Sequence, residues 1–318
     1  MSVLLLIIGF FLVIKGASFL VDGGSSLAKR LKISELAVGL TVVAFGTSLP
    51  ELSVNIAASI TGNSEIAITN ILGSNTANTL LILGISSIIF PLAVTKGTVW
   101  KEIPFSFLAA IVLALMALNG MTTGKDYSEL TRIDGLILLS FFIIFLYYTA
   151  GIAHQTNVEI DHSSYKDYSL KKSALLIFIG LAFLILGGEW IVDGAVYMAN
   201  MLHISESVIG ATIVAVGTSV PELATSIAAA TRKNADIAVG NVIGSNIFNI
   251  FFILGISSVI SPVQIHSSDI IHFIAVIIAN LVLFIFMFTG KRRTIDRWEG
   301  RLLLAGYIIY IILVVTFK

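Results

Sequence analysis

The chain has 318 residues, of which 57% are hydrophobic and only 12% are Asp, Glu, Lys or Arg. A soluble domain carries about a quarter charged residues, so this composition is typical of a polytopic membrane protein. The 19 basic side chains equal the 19 acidic ones in number, which excludes a basic nucleic-acid-binding protein and an acidic disordered chain. The absence of Cys excludes disulfides, thiolate catalysis and Cys-ligated metal sites.

Ten stretches of the chain are apolar over the roughly 20 residues that a helix needs to cross a bilayer. Helices are predicted for all ten, because barrel strands are much shorter and alternate in polarity. The first stretch has no basic region before it and is interpreted as a span, not as a signal peptide. The predicted spans lie near residues 3–28, 33–60, 65–89, 99–119, 133–152, 173–201, 205–230, 236–260, 268–289 and 299–317.

The distribution of Lys and Arg predicts how these spans are oriented. The odd-numbered loops contain 15 of the 19 basic residues. Basic residues favour the cytoplasmic side, so both termini are expected to lie outside the cell. Trp100 and Trp298 border loops assigned to the cytoplasm, as interfacial anchors do.

An internal repeat organises the chain. GTSLPEL at 46–52 returns as GTSVPEL at 217–223, an offset of 171 residues, and about half of the positions in 33–89 and 204–260 are identical without a gap. The offset carries span 2 onto span 7, an odd number of spans later, so the two copies have opposite orientations. Such inverted repeats are typical of secondary transporters, whose binding sites lie near mid-membrane at the repeat interface.

The predicted fold class is therefore an all-α membrane protein of ten transmembrane helices in two inverted five-helix repeats. The repeats comprise residues 1–153 and 173–318, and a cytoplasmic linker at 154–172 is too short to hold a regulatory domain. Helices 2 and 7 are expected to break at Pro50 and Pro221, since proline removes a backbone donor and clashes with the preceding turn. The alternative for each helix is a simple proline kink with no role in ion binding.

A carboxylate follows each proline, at Glu51 and Glu222. A charge at mid-bilayer costs roughly 2.5–3.5 kcal/mol on insertion scales, so two of them require compensation. No Lys or Arg lies near the middle of spans 2, 3, 7 or 8, so a cation or protons must supply it. A pair of permanently protonated structural acids is the competing interpretation.

Other oxygen-bearing side chains surround these acids in both copies. Hydroxyl, amide and carboxylate oxygens are hard ligands suited to calcium and similar ions. The histidines fall at span ends or in loops, which disfavours imidazole-bound metals. A lone Ser or Asn in a membrane helix more often joins helices, but the duplicated four-residue spacing favours ligands. The predicted metal ligands are Glu51, Glu222, Asn78 and Asn249, with Thr47, Ser48, Ser74, Thr218, Ser219 and Ser245 beside them.

Two carboxylates balance one divalent cation, or two to three monovalent ones. A site that alternates between these loads is an antiporter, electrogenic with three sodium ions per calcium and electroneutral with two. A calcium/proton antiporter using the same two glutamates is a second hypothesis, and a passive cation channel is a third. No phosphate-binding glycine loop or nucleophile–base pair supports an enzyme.

The paired GTSxPE and GSNxxN motifs resemble those of the calcium/cation antiporter superfamily, specifically prokaryotic sodium/calcium exchangers, over essentially the whole chain. The resemblance implies sodium-driven calcium transport across a prokaryotic cell (inner) membrane without a cofactor, with helices 1 and 6 sliding across a more rigid core. A monomer is expected to suffice, because all proposed ligands can come from one chain. The resemblance also implies calcium ligation by Glu51, Glu222, Thr47, Thr218, Asn78 and Asn249. It implies sodium ligation by Ala44, Thr47, Ser48, Glu51, Ser74, Ala215, Thr218, Ser219, Glu222 and Ser245.

One position departs from part of this family. Some archaeal relatives carry Asp at the position of Asn249, and potassium-dependent exchangers tend to carry Asp in place of both Asn78 and Asn249. Two asparagines here speak against potassium dependence and remove a central proton acceptor. The GNxxE-type motif of proton-coupled members is absent.

Overall fold

The computed structural model describes residues 2–117, 127–153, 167–201 and 217–316, without the side chains of residues 2–4, 64–65 and 199–200. Within these ranges eight helices are long and apolar enough to cross a membrane. A ninth crossing is formed if Glu35–Thr47 and Leu49–Thr61, which are bent by 47° at their junction, count as one span. The seventh predicted span, 205–230, lies partly outside the described residues. The chain is thus an all-helical, multi-pass membrane protein.

The described part of the first half contains eight α-helices. Three π-helical turns, in which the backbone accommodates an extra residue, join α2 to α3 (Gly39–Val43), join α5 to α6 (Ala77–Ile82) and precede α7 (Thr98–Glu102). The helices are α1 (Ser2–Leu31), α2 (Glu35–Val38), α3 (Ala44–Thr47), α4 (Leu49–Thr61), α5 (Ser64–Thr76), α6 (Leu83–Ile89), α7 (Ile103–Ala117) and α8 (Arg132–Ala153).

The described part of the second half follows the same order. A π turn at Phe248–Ile253 joins α11 to α12, at the positions that match Ala77–Ile82 in the repeat, and a 3₁₀ turn at Ser267–Asp269 precedes α13. The helices are α9 (Leu170–Met201), α10 (Val220–Thr231), α11 (Ala235–Ile247), α12 (Leu254–Ile260), α13 (Ile270–Phe286) and α14 (Arg297–Thr316). Asn63 and Asn234 cap α5 and α11 with their side-chain oxygens.

Two short antiparallel strand pairs connect distant loops, which the sequence did not predict. Strand β1 (Leu92–Ala93) pairs with β4 (Thr294–Ile295), so the loops before α7 and α14 lie side by side. Strand β2 (Tyr127–Leu130) pairs with β3 (Val263–His266) in the register Tyr127 to His266 and Leu130 to Val263. Each pair joins one half of the chain to the other.

The helices that carry the duplicated motifs lie at the centre of the bundle. In an 18-residue window of Ile66–Ile89 and in one of Ala235–Ile260, 78% of the residues are buried, against at most 44% in the windows of the other six long spans. Close backbone approach explains one glycine here, because a Cβ at Gly244 would lie 2.7 Å from the carbonyl oxygen of Leu40. The π turn after α2 can therefore cross directly over α11.

Helices α1 and α9 pack against each other along most of their length at the periphery. A Cβ at Gly16 would lie 2.7 Å from the Gly180 carbonyl oxygen, and one at Gly180 would lie 2.8 Å from the Gly16 carbonyl oxygen. Small residues permit such close crossings in membranes, where packing and not hydrophobic burial joins helices. At one end Ser26 and Ser173 share a hydrogen bond of 2.9 Å.

Candidate ion-binding site

The two glutamates occupy equivalent positions at the starts of two helices inside the bundle. Ser48 separates α3 from α4 with φ −85° and ψ 9°, and Ser219 precedes α10 with φ −87° and ψ 6°. Proline follows within the first turn of each helix, where its missing N–H is tolerated. Glu51 and Glu222 then lie in the first turn, where a carboxylate complements the helix dipole, and both are buried.

Each carboxylate is hydrogen-bonded by serines from both halves of the chain. The Ser48 hydroxyl donates to Glu222 Oε1 at 2.9 Å, and the Ser219 hydroxyl donates to Glu51 Oε1 at 3.3 Å. Ser74 and Ser245 donate to Oε1 of the glutamate in their own half, Glu51 and Glu222 respectively, at 3.4 Å in each case. The four serines therefore bring the two acids into one polar cluster.

The threonines of the motif are held by asparagines on the facing helices. Thr47 donates to Asn241 Oδ1 at 3.1 Å, and Asn70 donates to the Thr218 hydroxyl at 3.4 Å. Asn241 also donates to the Glu222 carbonyl oxygen at 3.2 Å, which ties the threonine to the helix start that carries the acid. Both threonines thus stand at the edge of the serine–glutamate cluster.

The central asparagines use their amide nitrogens to cross between the halves. Asn78 Nδ2 donates to Asn246 Oδ1 at 3.1 Å, and Asn249 Nδ2 donates to Asn75 Oδ1 at 2.9 Å. Each lies within a π turn, at Ala77–Ile82 or Phe248–Ile253. The side-chain oxygens of both asparagines make no hydrogen bond to the described residues.

Four buried oxygens of the cluster have no hydrogen-bond partner among the described residues: Glu51 Oε2, Glu222 Oε2, Asn78 Oδ1 and Asn249 Oδ1. Buried polar atoms are rarely left unsatisfied, since each costs about 1–3 kcal/mol. All four oxygens can only accept hydrogen bonds, because they belong to ionised carboxylates or to amide carbonyls. Oxygen atoms of these types are ligands that a hard cation prefers, and one bound near all four would satisfy them.

The alanine carbonyls enter the site differently. Ala44 O accepts the Ser48 backbone N–H at 3.1 Å and lies within hydrogen-bonding distance of the Thr47 hydroxyl, at 3.3 Å, and of the Ser245 hydroxyl, at 3.5 Å. It therefore lies in the cluster already engaged by protein donors. Ala215 lies outside the described residues.

Several residues of the cluster were not among the predicted ligands. Asn70 and Asn241 support the threonines, and Asn75 and Asn246 orient the central amides. Their signal was available, because Asn70 matches Asn241 and Asn75 matches Asn246 at the repeat offset of 171. In the described part of the chain no group of three or more His, Cys, Asp or Glu side chains could hold a metal, so the cluster depends on neutral oxygens beside its two acids.

Comparisons with known proteins agree with this chemistry. The model of the sodium/calcium exchanger protein family matches residues 1–151 and 172–316. The sodium/calcium exchanger MaX1 of Methanosarcina acetivorans is 31% identical over 97% of both chains, and the inner membrane protein YrbG of Escherichia coli is 34% identical over 96% of this chain and 94% of its own.

A solved structure has the same overall fold. The sodium-calcium exchanger NCX_Mj, soaked with 10 mM Na⁺ and zero Ca²⁺, superposes with a TM-score of 0.84 at 36% identity and covers 98% of each chain. Family model, relatives and fold agree over nearly the whole length. The chain belongs to the sodium/calcium exchanger family of the calcium/cation antiporter superfamily, whose members are membrane ion exchangers and not catalysts.

Proposed function

We propose that the protein exchanges sodium for calcium at the cluster around Glu51 and Glu222. The observation that carries the proposal is the set of four unpartnered buried oxygens, two from carboxylates and two from Asn78 and Asn249. Two buried negative charges without a nearby Lys or Arg need cations, and calcium takes six to eight oxygen ligands. Calcium would be bound by these four residues together with Thr47 and Thr218.

Sodium would be bound by the same acids and the flanking hydroxyls. One calcium ion neutralises both carboxylates, and so do two sodium ions, so either load allows the site to sit in a low-dielectric interior. A third sodium ion would leave one net charge to move per cycle, which makes the exchange electrogenic. The sodium ligands would be Ala44, Thr47, Ser48, Glu51, Ser74, Ala215, Thr218, Ser219, Glu222 and Ser245.

The architecture proposed for this cycle is ten helices in two inverted repeats, 1–153 and 173–318, joined by a cytoplasmic linker at 154–172. The proline-containing breaks at Pro50 and Pro221 would put the two acids at the repeat interface, where alternating access exposes them to each side in turn. Both termini would face outward from a prokaryotic cell (inner) membrane. All proposed ligands come from one chain, so a monomer would suffice and no cofactor is needed.

A calcium/proton antiporter is the alternative function. Oε2 of each glutamate could bind a proton instead of helping to ligate a cation. The serine hydroxyls that donate to Oε1 would be unaffected. The two hypotheses use the same residues but differ in the driving ion.

Calcium uptake into proteoliposomes at clamped voltage tests the proposal. Vesicles are loaded with sodium, with potassium or with a proton gradient, and radioactive calcium is supplied outside. We expect uptake only against internal sodium, with an initial rate that changes with membrane potential. Uptake that follows the pH gradient alone would establish the proton-coupled alternative, and uptake without any counter-ion gradient would indicate a passive channel.

A further inference from the structure

A strip of exposed cations lies at one edge of the bundle, apart from the ion-binding site. We name it the basic rim. It comprises the exposed side chains of Lys291, Arg292, Arg293, Arg297 and Arg301, from the loop between α13 and α14 and the first turns of α14. Pairing of β1 with β4 brings Lys96, also exposed, into the neighbouring loop, where Val94 N–H donates to the Arg293 carbonyl at 2.8 Å.

The acids of the loop hydrogen-bond its backbone and a nearby hydroxyl, and within the described residues they form no ion pair with its cations. Asp296 accepts the Lys291 backbone N–H at 3.3 Å, and Glu299 accepts the Asp296 backbone N–H at 2.7 Å and the hydroxyl of Thr289. Glu299 is buried. The two ion pairs within the described ranges are Arg30–Asp167 and Arg232–Asp22, and neither involves the rim.

The backbone also presents the arginines outward at some conformational cost. Arg293 adopts φ 62°, in the left-handed region that non-glycine residues rarely occupy, and its N–H donates to the Met287 carbonyl at 2.9 Å. Arg297 and Arg301 lie four residues apart on one face at the start of α14, where positive side chains oppose the helix dipole. An anion bound beside them would offset both the repulsion between the two arginines and their unfavourable interaction with the helix dipole.

Exposed aromatic side chains place this strip at headgroup depth. Trp100 and Trp298 are 57% and 45% exposed, and the Trp100 ring packs 5.4 Å from that of Phe288. Tryptophan favours the membrane interface, and apolar spans begin or end on either side of the rim. Arginine binds phosphate through two parallel hydrogen bonds, which lysine cannot reproduce.

We propose that the basic rim is a binding site for the headgroup phosphate of an anionic phospholipid, held by Arg292, Arg293 and Arg297. The site is independent of the exchange reaction. It requires the arrangement of these arginines, whereas simple anchoring at the membrane interface would require only their charge.

Lipid selectivity of the full-length protein in vesicles tests this site. The protein is reconstituted in equimolar phosphatidylcholine and phosphatidylglycerol, and electron spin resonance measures how strongly spin-labelled phosphatidylglycerol is immobilised relative to spin-labelled phosphatidylcholine. The wild type should prefer phosphatidylglycerol, and the triple variant R292Q/R293Q/R297Q should lose most of that preference. The control K29Q/K32Q/K171Q removes three charges elsewhere and should keep it.

A charge-conserving variant separates a site from diffuse attraction. R292K/R293K/R297K should fold like the wild type yet lose at least half of the preference, because its ammonium groups cannot bind phosphate through paired hydrogen bonds. A lysine variant equal to the wild type, an equal loss in the control, or no preference in the wild type would each overturn the proposal. Inorganic phosphate bound by these arginines in phosphatidylcholine vesicles, together with no preference for phosphatidylglycerol in the mixed vesicles, would assign the rim to free phosphate and overturn the proposal.

Discussion

The two halves of the molecule make matching contacts at the acidic cluster and different contacts at the ends of their helices. In the cluster, Ser48 on Glu222 corresponds to Ser219 on Glu51, one repeat offset apart. At the helix ends, Asp22 pairs with Arg232 at 3.1 Å, but the equivalent positions hold Asp193 and Thr61, which cannot form an ion pair. The matching contacts at the cluster lie where both halves would contact the same ions.

Matching hydrogen bonds join the same two helices next to the proposed ligands in each half, even where the residues that form them differ. Asn55 donates to Asn70 Oδ1 at 2.8 Å. In the other half Asn241, which matches Asn70, donates to the hydroxyl of Ser226, which matches Asn55, at 3.0 Å. In both halves the bond joins the helix with the glutamate in its first turn, α4 or α10, to the helix before the π turn of the central asparagine, α5 or α11. The comparison indicates that both halves supply matching groups to the cluster, and substitutions in matched pairs can test how equal their contributions are.

The largest effect is expected for the two glutamates. Glu51→Gln and Glu222→Gln should each lower calcium uptake in proteoliposomes by at least about a hundredfold, because disrupting a buried charge arrangement costs about 3–5 kcal/mol. Equal losses would support equal contributions. The control Glu129→Gln alters an exposed glutamate and should transport like the wild type. Near wild-type uptake by either cluster variant would remove that residue from the site.

The crossed serines should give the next largest effect. Ser48→Ala and Ser219→Ala each remove a hydroxyl that bonds a carboxylate, worth about 1.5–3 kcal/mol, so the apparent affinity for sodium or calcium should fall about tenfold or more. Ser48 should matter more, because its bond is 2.9 Å and that of Ser219 is 3.3 Å.

Ion dependence of the uptake rate measures both variants. Ser53→Ala is the matched control, since its hydroxyl is exposed and bonds only the Leu49 carbonyl of its own helix. A larger loss in Ser219→Ala than in Ser48→Ala would contradict the ranking taken from the distances.

The central asparagines should give a smaller change that depends on pH. Asn249→Asp keeps an oxygen at the unpartnered position but loses the amide that donates to Asn75. We expect exchange to continue at a rate lowered a few-fold and to be inhibited more strongly at low pH, because protons compete with cations for the added carboxylate. Asn78→Asp should behave alike. A pH profile of uptake that matches the wild type would argue against a central position.

The repeat explains how much of this site could be predicted from the sequence. Duplicated Glu, Ser and Asn positions identify candidate ligands, because an internal copy marks equivalent places in two halves. It does not tell which copy contacts which, so the crossing of Ser48 to Glu222 became apparent only in the structure.

Features without a local pattern were not predicted. No sequence pattern marks the π turns that carry Asn78 and Asn249. The pairing of β1 with β4 joins loops about 200 residues apart in the chain. The partner of Asp22 follows the same rule. Lys15 lies seven residues before it on α1, but the residue that pairs with Asp22 is Arg232, which is brought to it by tertiary packing.

The smallest effect is expected at the helix ends, where the halves differ. Asp22→Asn removes the ion pair that joins α1 to the end of α10, and Asp193→Asn changes an exposed side chain of α9. Partly exposed ion pairs contribute about 0.2–1 kcal/mol, so Asp22→Asn should change the ratio of apparent calcium affinities on the two membrane faces by less than about fivefold. Asp193→Asn should leave the ratio unchanged, as measured in vesicles of defined sidedness. Equal shifts in both variants would show that the ion pair is not what distinguishes the two ends, and the difference between the halves would then have to come from their apolar contacts.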